Sequence, residues 1–258
     1  MRRGISRIVA VLAFTAVSIG PVFASPGEEL DPGGMLEGFA PPSQGGLSCT
    51  RYLNKRVMIM PLNCEMTCAI NFASAASKGL DFDYNYCRST WQYSCTNQYA
   101  RALDKLDQGT CMNCINEPAQ QSLYPLYSSV VDTMKDQIYC DNDPENTAFP
   151  DGHGFVSQQR DVVKCQNAIM RSLQKAAKCL TVKCHQKNAE LIYWDKPLRT
   201  SIAQCETEDV SKSCKARFEL SVLKAGPSCP ACLDANAIWT SFHTALDTNN
   251  GAIYCSDN

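Results

Sequence analysis

The fold is decided by residues 159–183, which read QRDVVKCQNAIMRSLQKAAKCLTVK. Apolar residues recur in this stretch at steps of three and four, and basic or amide side chains occupy many of the positions between them. The recurring positions are Val162, Val163, Ile169, Met170, Leu173, Ala176, Ala177 and Leu180. This period matches one face of an α-helix, so the stretch is predicted to form a long amphipathic helix.

Helical periodicity extends to other parts of the chain. The same steps occur in residues 126–138 and 238–246, and Pro125 suits the first position of the earlier helix. The best alternating pattern, at Phe82, Tyr84 and Tyr86, is too short to indicate a sheet. The sequence therefore predicts an all-α protein with no substantial sheet.

The cysteines form two consecutive sets of eight, and the predicted helix contains the first two members of the second set. No corresponding step between the sets differs by more than three residues, and both sets end on Ile-Tyr-Cys. The first set is Cys49, Cys64, Cys68, Cys87, Cys95, Cys111, Cys114 and Cys140. The second set is Cys165, Cys179, Cys184, Cys205, Cys214, Cys229, Cys232 and Cys255.

This duplication predicts two tandem helical modules of the same fold. We assign residues 49–140 to module 1, residues 141–158 to a linker and residues 159–258 to module 2, with about four helices in each module. An even number of cysteines in an exported chain indicates disulfides. We expect all sixteen cysteines to pair, and each bond to lie within one module.

Helix geometry restricts the pairing. A helix over residues 125–139 is about 22 Å long at 1.5 Å per residue, whereas a disulfide needs Cα atoms within about 7 Å. We therefore expect Cys140 to pair with a cysteine other than Cys111 or Cys114.

The second and third cysteines of each set are spaced differently in the two modules. Cys64 and Cys68 are four residues apart and share a helix face, but Cys179 and Cys184 are five apart, so we expect module 2 to differ there.

The first residues have the pattern of a secretory signal. Residues 1–24 combine three arginines with a short apolar run, and residues 25–48 have the Pro- and Gly-rich composition of a flexible leader. No later segment has the roughly 18 apolar residues of a membrane helix. We therefore expect a protein without a membrane span that is secreted, and that is extracellular or, in a bacterium, periplasmic.

The charge balance argues against nucleic acid as a partner. The chain carries 24 basic and 26 acidic residues, and loss of three arginines with the predicted signal leaves a net charge of −5. Nucleic acids and anionic membranes are bound through basic surfaces. Neither is therefore an expected partner.

Two CxxC motifs have the spacing of a thiol–disulfide active site. They are Cys111-Met112-Asn113-Cys114 and Cys229-Pro230-Ala231-Cys232. A redox domain of the thioredoxin type would have a buried strand before the motif, and none is predicted here, so we interpret the cysteines as structural half-cystines. The alternative is a thiol–disulfide oxidoreductase that uses Cys229 and Cys232.

Other reactive sites are not predicted. The two CxxC motifs could together hold zinc, but disulfide formation is expected to take these cysteines in an exported chain, so we expect no metal and no cofactor. The histidines are His153, His185 and His243, and the chain has no nucleophile elbow, phosphate loop or HExxH pattern. We therefore expect no enzymatic activity.

An aromatic cluster lies between the third and sixth cysteines of module 1. Aromatic side chains on a disulfide-fixed loop can anchor a partner, although they can also fill a small core. Module 2 has the polar stretch 206–213 where module 1 has Trp91 and Tyr93, so we expect these two to be exposed. The candidates for partner binding are Trp91, Tyr93, Phe82 and Tyr84.

In composition and layout the chain resembles the cysteine-rich proteins that microbes secrete at a host interface. The resemblance implies an effector-like protein that contributes to virulence at a host surface. The leading hypothesis is a secreted, non-enzymatic binding protein whose partner is an extracellular protein or a small apolar ligand. A carrier that holds an apolar ligand between its helices is a further alternative.

Overall fold

A computed structural model of the 258-residue chain describes residues 43–106, 111, 117–141, 143, 145–249 and 253–254. The predicted signal, most of the predicted leader, Cys114 and Cys255 lie outside these residues. The described part is mainly helical, which confirms the predicted fold class. Among the described helices, none combines the length and the apolar character that crossing a bilayer requires.

Each module begins with a long helix that contains a π-helical segment. In module 1, α1 (Gln44–Tyr52), π1 (Leu53–Ile59) and α2 (Met60–Ala76) follow one another without a break. In module 2, α5 (Arg160–Lys178), π3 (Cys179–Gln186) and α6 (Lys187–Tyr193) do the same. The long amphipathic helix predicted over 159–183 is therefore present, but its last turns are π-helical.

The first helix starts earlier than the sequence predicts. The hydroxyl of Ser43 accepts a hydrogen bond of 3.0 Å from the Gly46 amide and caps α1, and Leu47 is buried. The end of the predicted leader 25–48 is therefore helical, because a cap and an apolar contact outweigh the glycine content of this segment.

The remaining helices have the same order in both modules. Module 1 continues with π2 (Tyr86–Thr90), α3 (Cys95–Asp104) and α4 (Glu117–Ile138), and module 2 with π4 (Gln204–Glu208), α7 (Cys214–Ala225) and α8 (Ala235–Asn249). Ser94 and Ser213 occupy equivalent positions and cap α3 and α7 through their hydroxyls. Local helix signals were therefore duplicated together with the cysteines.

Proline does not begin α4 as predicted. Pro125 lies inside this helix, which starts at Glu117. Leu123 and Tyr127, on either side of the proline, are both buried. Burial of these side chains offsets the lost backbone hydrogen bond, so the helix continues through the proline.

The segment between the modules is folded against module 1. Its strands β1 (Thr147–Ala148) and β2 (Phe155–Val156) form a small antiparallel hairpin. Phe149 is buried, and its ring centroid lies 4.7 Å from that of Phe72. Gly154 has a φ of +82°, and a Cβ there would lie 2.8 Å from the Lys135 carbonyl oxygen, so glycine is required at this close approach.

Seven disulfides connect the described cysteines. Three join residues of module 1 and three join the equivalent residues of module 2, whereas the seventh joins the modules. The bonds within modules are Cys49–Cys111, Cys64–Cys95 and Cys68–Cys87, and Cys165–Cys229, Cys179–Cys214 and Cys184–Cys205. The bond between modules is Cys140–Cys232.

The partner of Cys140 confirms one expectation and corrects another. Cys140 pairs with neither Cys111 nor Cys114, as the length of its helix predicts. However, its partner Cys232 belongs to module 2, so the expectation that every bond stays within a module was wrong. The cause is the packing of α4 against α8, which brings the end of α4 to the second CxxC turn.

The expected difference at Cys179 and Cys184 was also wrong. These cysteines pair with Cys214 and Cys205 in the same pattern as Cys64 and Cys68 with Cys95 and Cys87. In an α-helix, residues five apart differ in direction by about 140°, against about 40° for residues four apart. A π turn contains one more residue than an α turn, so π3 returns Cys184 to the face of Cys179.

The two modules share one apolar core in the described part. Helix α5 packs against α2 and α7, and α4 packs against α2 and α8. Polar contacts also cross between modules. Asn167 accepts a hydrogen bond of 2.7 Å from the Tyr139 hydroxyl and donates one of 2.9 Å to Ser74. The modules are therefore joined by packing and hydrogen bonds as well as by the bond between Cys140 and Cys232.

Candidate functional site

Three exposed aromatic rings form a cluster on the connection between α2 and α3. Tyr86, Trp91 and Tyr93 have 45%, 42% and 50% of their surface exposed. The rings of Tyr86 and Trp91 are stacked at 6.2 Å, and the ring of Tyr93 meets that of Trp91 edge-on at 5.0 Å. We call these three residues the aromatic platform.

Disulfides fix both ends of the loop that carries the platform. Cys87 follows Tyr86 and is bonded to Cys68, and Cys95 lies two residues after Tyr93 and is bonded to Cys64. Both partners belong to α2. The loop between the two bonds is therefore tied to one helix by neighbouring residues of that helix.

Side chains of α3 hold the backbone of the same loop. Asn97 donates a hydrogen bond of 2.7 Å to the Trp91 carbonyl, and Gln98 donates one of 2.6 Å to the Tyr93 carbonyl. Arg101 donates to the Gln92 carbonyl, and its guanidinium carbon lies 5.1 Å from the centroid of the Tyr93 ring. The platform is thus presented by a loop whose backbone is already ordered, with a cation at one edge.

A group of charged residues, of which Glu65 and Lys135 are buried, connects the loop to neighbouring elements. Arg88 in π2 forms ion pairs with Glu65, Asp132 and Asp151. Lys135, which has no exposed surface, pairs with Asp132 at 2.8 Å and with Asp151. We call these five residues the charge cluster. Because Arg88 lies two residues after Tyr86, the cluster fixes the start of the platform loop to α2, α4 and the hairpin.

Burial and ion pairing set the charges of this cluster. Burial raises the pKa of Glu65, although the guanidinium of Arg88 and the hydroxyl of Tyr124 oppose the rise. Burial acts in the same direction on Asp151, but the hydrogen bond and charge of Lys135 outweigh it, so the pKa of Asp151 is lowered. Asp151 is therefore held as an anion against two cations.

The four aromatic candidates have different positions. Trp91 and Tyr93 lie on the platform, Phe82 is partly buried against the core, and Tyr84 is buried at 1% exposure. The Tyr84 hydroxyl accepts a hydrogen bond of 2.9 Å from Lys135, so this residue belongs to the support of the loop and offers no surface to a partner.

Sequence reasoning missed two contributors. The alternation of Phe82, Tyr84 and Tyr86 suggests one shared face, but only Tyr86 of the three is an exposed aromatic residue. No sequence pattern connects Arg101 with Tyr93, because the two side chains meet only through the packing of α3 on the loop.

The cysteines of the second CxxC motif are not bonded to each other. Cys229 pairs with Cys165, and Cys232 pairs with Cys140. An open cleft of about 640 Å³ adjoins them, and its walls include Pro227, Pro230 and Asp161. The motif thus forms two structural bonds, one within module 2 and one to module 1.

Comparison with protein-family models, with curated proteins and with solved structures finds no match for this chain. Its site is therefore interpreted from geometry alone. The disulfides of the described residues fit a cysteine-rich secreted protein.

Proposed function

We propose that this protein is a secreted, non-enzymatic binding protein that docks an extracellular protein on its aromatic platform. The observation that carries the proposal is the exposure of Tyr86, Trp91 and Tyr93 on a loop fixed by two disulfides. A host surface is the setting that the resemblance to secreted microbial proteins favours.

The energetics of binding favour such a platform. Large aromatic side chains dominate many protein interfaces because they bury much surface and have few rotatable bonds. Ordering a loop on binding costs free energy, and disulfides and hydrogen bonds have already ordered this one. Arg101 adds a cation beside Tyr93, which suits a partner that places a carboxylate next to an apolar side chain.

The difference between the modules supports the same location. Module 2 has a polar segment between Cys205 and Cys214, including the bonds that Ser211 and Lys212 donate to Asp209. The described segment of module 2 that is equivalent to the platform loop therefore has no aromatic ring cluster. A structural need common to both modules does not account for the platform.

The test is capture by matched variants of the intact, oxidised chain. An extracellular protein that the wild type captures should bind the double variant, Trp91→Ala with Tyr93→Ala, at least about 30-fold more weakly. Replacing a hot-spot aromatic residue by alanine reduces the binding free energy by about 2 kcal/mol or more. Trp194→Ala is the control, because Trp194 is 52% exposed and lies outside the platform.

Binding is measured with the captured protein after purification, by titration against all three chains. Equal thermal stability and equal disulfide maps show that the variants fold. Equal affinity of the wild type and the double variant for every captured protein would contradict the proposal. Loss of binding in Trp194→Ala alone would move the site to module 2.

A further inference from the structure

Two histidines and two carboxylates converge in module 2. The Nε2 atom of His243 lies 3.0 Å from Glu206 Oε2 and 3.3 Å from Asp247 Oδ2. The Nε2 atom of His185 contacts Glu206 Oε1 and lies 3.8 Å from Asp247 Oδ1. We call these four residues the histidine–carboxylate cluster.

The four side chains are brought together by a disulfide and by one helix. His185 follows Cys184 in π3 and Glu206 follows Cys205 in π4, and these two cysteines are bonded to each other. His243 and Asp247 are four residues apart on α8 and therefore share a face of that helix. His185 and Glu206 are buried, and His243 and Asp247 are partly buried with 21% of each side chain exposed. The Cys184–Cys205 bond thus positions His185 beside Glu206, and one turn of α8 positions His243 beside Asp247.

The two carboxyl groups of the cluster face the same two imidazoles. Each histidine has its Nε2 atom beside a carboxylate oxygen of Glu206 and beside one of Asp247. Nitrogen and oxygen atoms that can act as metal ligands therefore converge from three separate elements.

The equivalent place in module 1 contains a cation of the protein itself. Alignment of the cysteines places Glu206 at the position of Arg88 and His185 at that of Ala69, and alignment of the Ile-Tyr-Cys ends places His243 and Asp247 at Ser128 and Asp132. In module 1 the Arg88 guanidinium donates to Ser128 and pairs with Asp132. Only the aspartate is common to both modules.

We propose that the histidine–carboxylate cluster of module 2 binds one divalent transition metal ion of the zinc class. Imidazole nitrogen and carboxylate oxygen are ligands that zinc prefers, at bond lengths of about 2.0–2.2 Å. Tetrahedral geometry at such lengths places ligand atoms about 3.4 Å apart, and the 3.8 Å between His185 Nε2 and Asp247 Oδ1 is close to that value. His185, Glu206 and Asp247 have one ligand atom each within 4.8 Å of the others.

The ligand set differs from the one that the sequence suggested and rejected. The cysteines of the second CxxC motif are taken by disulfides, so they are not ligands. The proposed metal would connect π3, π4 and α8 beside the Cys184–Cys205 bond. It would replace in module 2 the cross-link that Arg88 provides in module 1.

The experiment is a zinc titration of the intact, oxidised chain after treatment with a chelator. We expect saturable binding of one zinc per chain, seen by calorimetry, and a higher melting temperature with zinc. His243→Gln and Glu206→Gln should each weaken binding by at least about 10-fold, since His243 contacts both carboxylates and loss even of a residue that only supports a ligand costs about 10- to 100-fold. His153→Gln is the matched control, because His153 pairs with Asp136 outside the cluster.

Cobalt serves as a spectroscopic probe of the ligands. We expect absorption typical of nitrogen and oxygen ligands, without the thiolate bands that reduced cysteines would give. Unchanged zinc affinity in His243→Gln, whose histidine is partly exposed, would overturn the proposal even where Glu206→Gln fails to fold. The absence of saturable binding in the wild type, or equal loss in His153→Gln, would overturn it as well.

Discussion

At the scale of single residues, the charge cluster explains how the platform loop is fixed to α2, α4 and the hairpin. Arg88 and Lys135 meet three carboxylates, and each cation contacts more than one of them. Buried ion pairs lose hydration and stabilise a protein only when such contacts compensate. Removing a partner of Lys135 or of Glu65 leaves a buried charge with fewer compensating contacts, so the cluster is sensitive to single changes.

Asp151→Asn tests this sensitivity. The change should lower the free energy of unfolding by about 2 kcal/mol at neutral pH, less than for a fully buried pair because Asp132 still contacts Lys135 and Arg88. Because folding lowers the pKa of Asp151, its stabilising effect is complete at neutral pH. The effect is lost as the pH falls from about 4, the pKa of an unfolded aspartate, through the lower pKa of the folded protein.

The measurement is denaturant unfolding of both proteins across this pH range with the disulfides intact. The difference between wild type and variant should shrink as the pH falls below about 4. Asp143→Asn, at an exposed position of the same segment, should behave as the wild type. A difference that stays constant down to the lowest pH at which both proteins fold would show that Asp151 does not act through its charge.

The exposure of single aromatic residues was predicted from the sequence only in part. The missing counterparts in module 2 correctly indicated that Trp91 and Tyr93 are exposed. The alternation of Phe82, Tyr84 and Tyr86 suggested a shared face, but this segment is not a strand, and the three side chains differ in burial. Spacing predicts a common face only when the backbone conformation is known.

At the scale of elements, the π segments explain how unequal cysteine spacings give equal bonds. Cys49 and Cys68 are 19 residues apart, as are Cys165 and Cys184. The intermediate cysteine is placed differently: π1 ends before Cys64, whereas π3 begins at Cys179. Each long helix has therefore accommodated an extra residue as a π turn, at a different place in each module.

Deletion of Lys183 tests this explanation. The deletion brings Cys179 and Cys184 to the spacing of Cys64 and Cys68, and π3 should become α-helical. We expect Cys179–Cys214 and Cys184–Cys205 to form as before, with a change in the free energy of unfolding below about 1 kcal/mol.

Deletion of Lys175 is the matched control, since it removes an exposed lysine from the α-helical part between Cys165 and Cys179. It rotates Cys165 by about 100° relative to Cys179 and should disrupt the Cys165–Cys229 bond. Peptide mapping and a free-thiol assay measure both deletions. Equal disruption by the two deletions would contradict the role of π3.

The elements most open to prediction were those with a strong local signal. Apolar periodicity correctly indicated the helices that begin module 2 and end both modules. The π turns were missed because an expectation built on α-helical spacing cannot contain them. The histidine–carboxylate cluster was missed because its members come from π3, π4 and α8 and share no spacing in the sequence.

At the scale of the whole molecule, the two copies form one structure. The core is continuous across the described modules, and Cys140–Cys232 joins them covalently. The duplication of cysteine spacing predicted the bonds within modules but not this one, because a repeat specifies equivalent positions and does not specify how two copies pack. Helix length could exclude the near cysteines for Cys140, whereas its actual partner depends on the packing of α4 on α8.

The equivalence of the modules also predicts a second bond between them. Cys140 and Cys232 are the eighth and seventh cysteines of modules 1 and 2, and the reciprocal positions are Cys114 and Cys255. Since the repeat pairs like with like elsewhere, we predict a Cys114–Cys255 bond in the oxidised protein. Free thiols at these two positions would show that the symmetry of the pairing is incomplete.

The most direct measurement of the central claim, that two equivalent disulfide sets are joined into one molecule, is peptide mapping of the native protein. Digestion at low pH without reduction, followed by mass spectrometry, should identify Cys140–Cys232 together with the matched pairs Cys64–Cys95 and Cys179–Cys214. Detection of a bond between Cys229 and Cys232, or of reduced thiols in that turn, would contradict the account and favour a thiol–disulfide oxidoreductase.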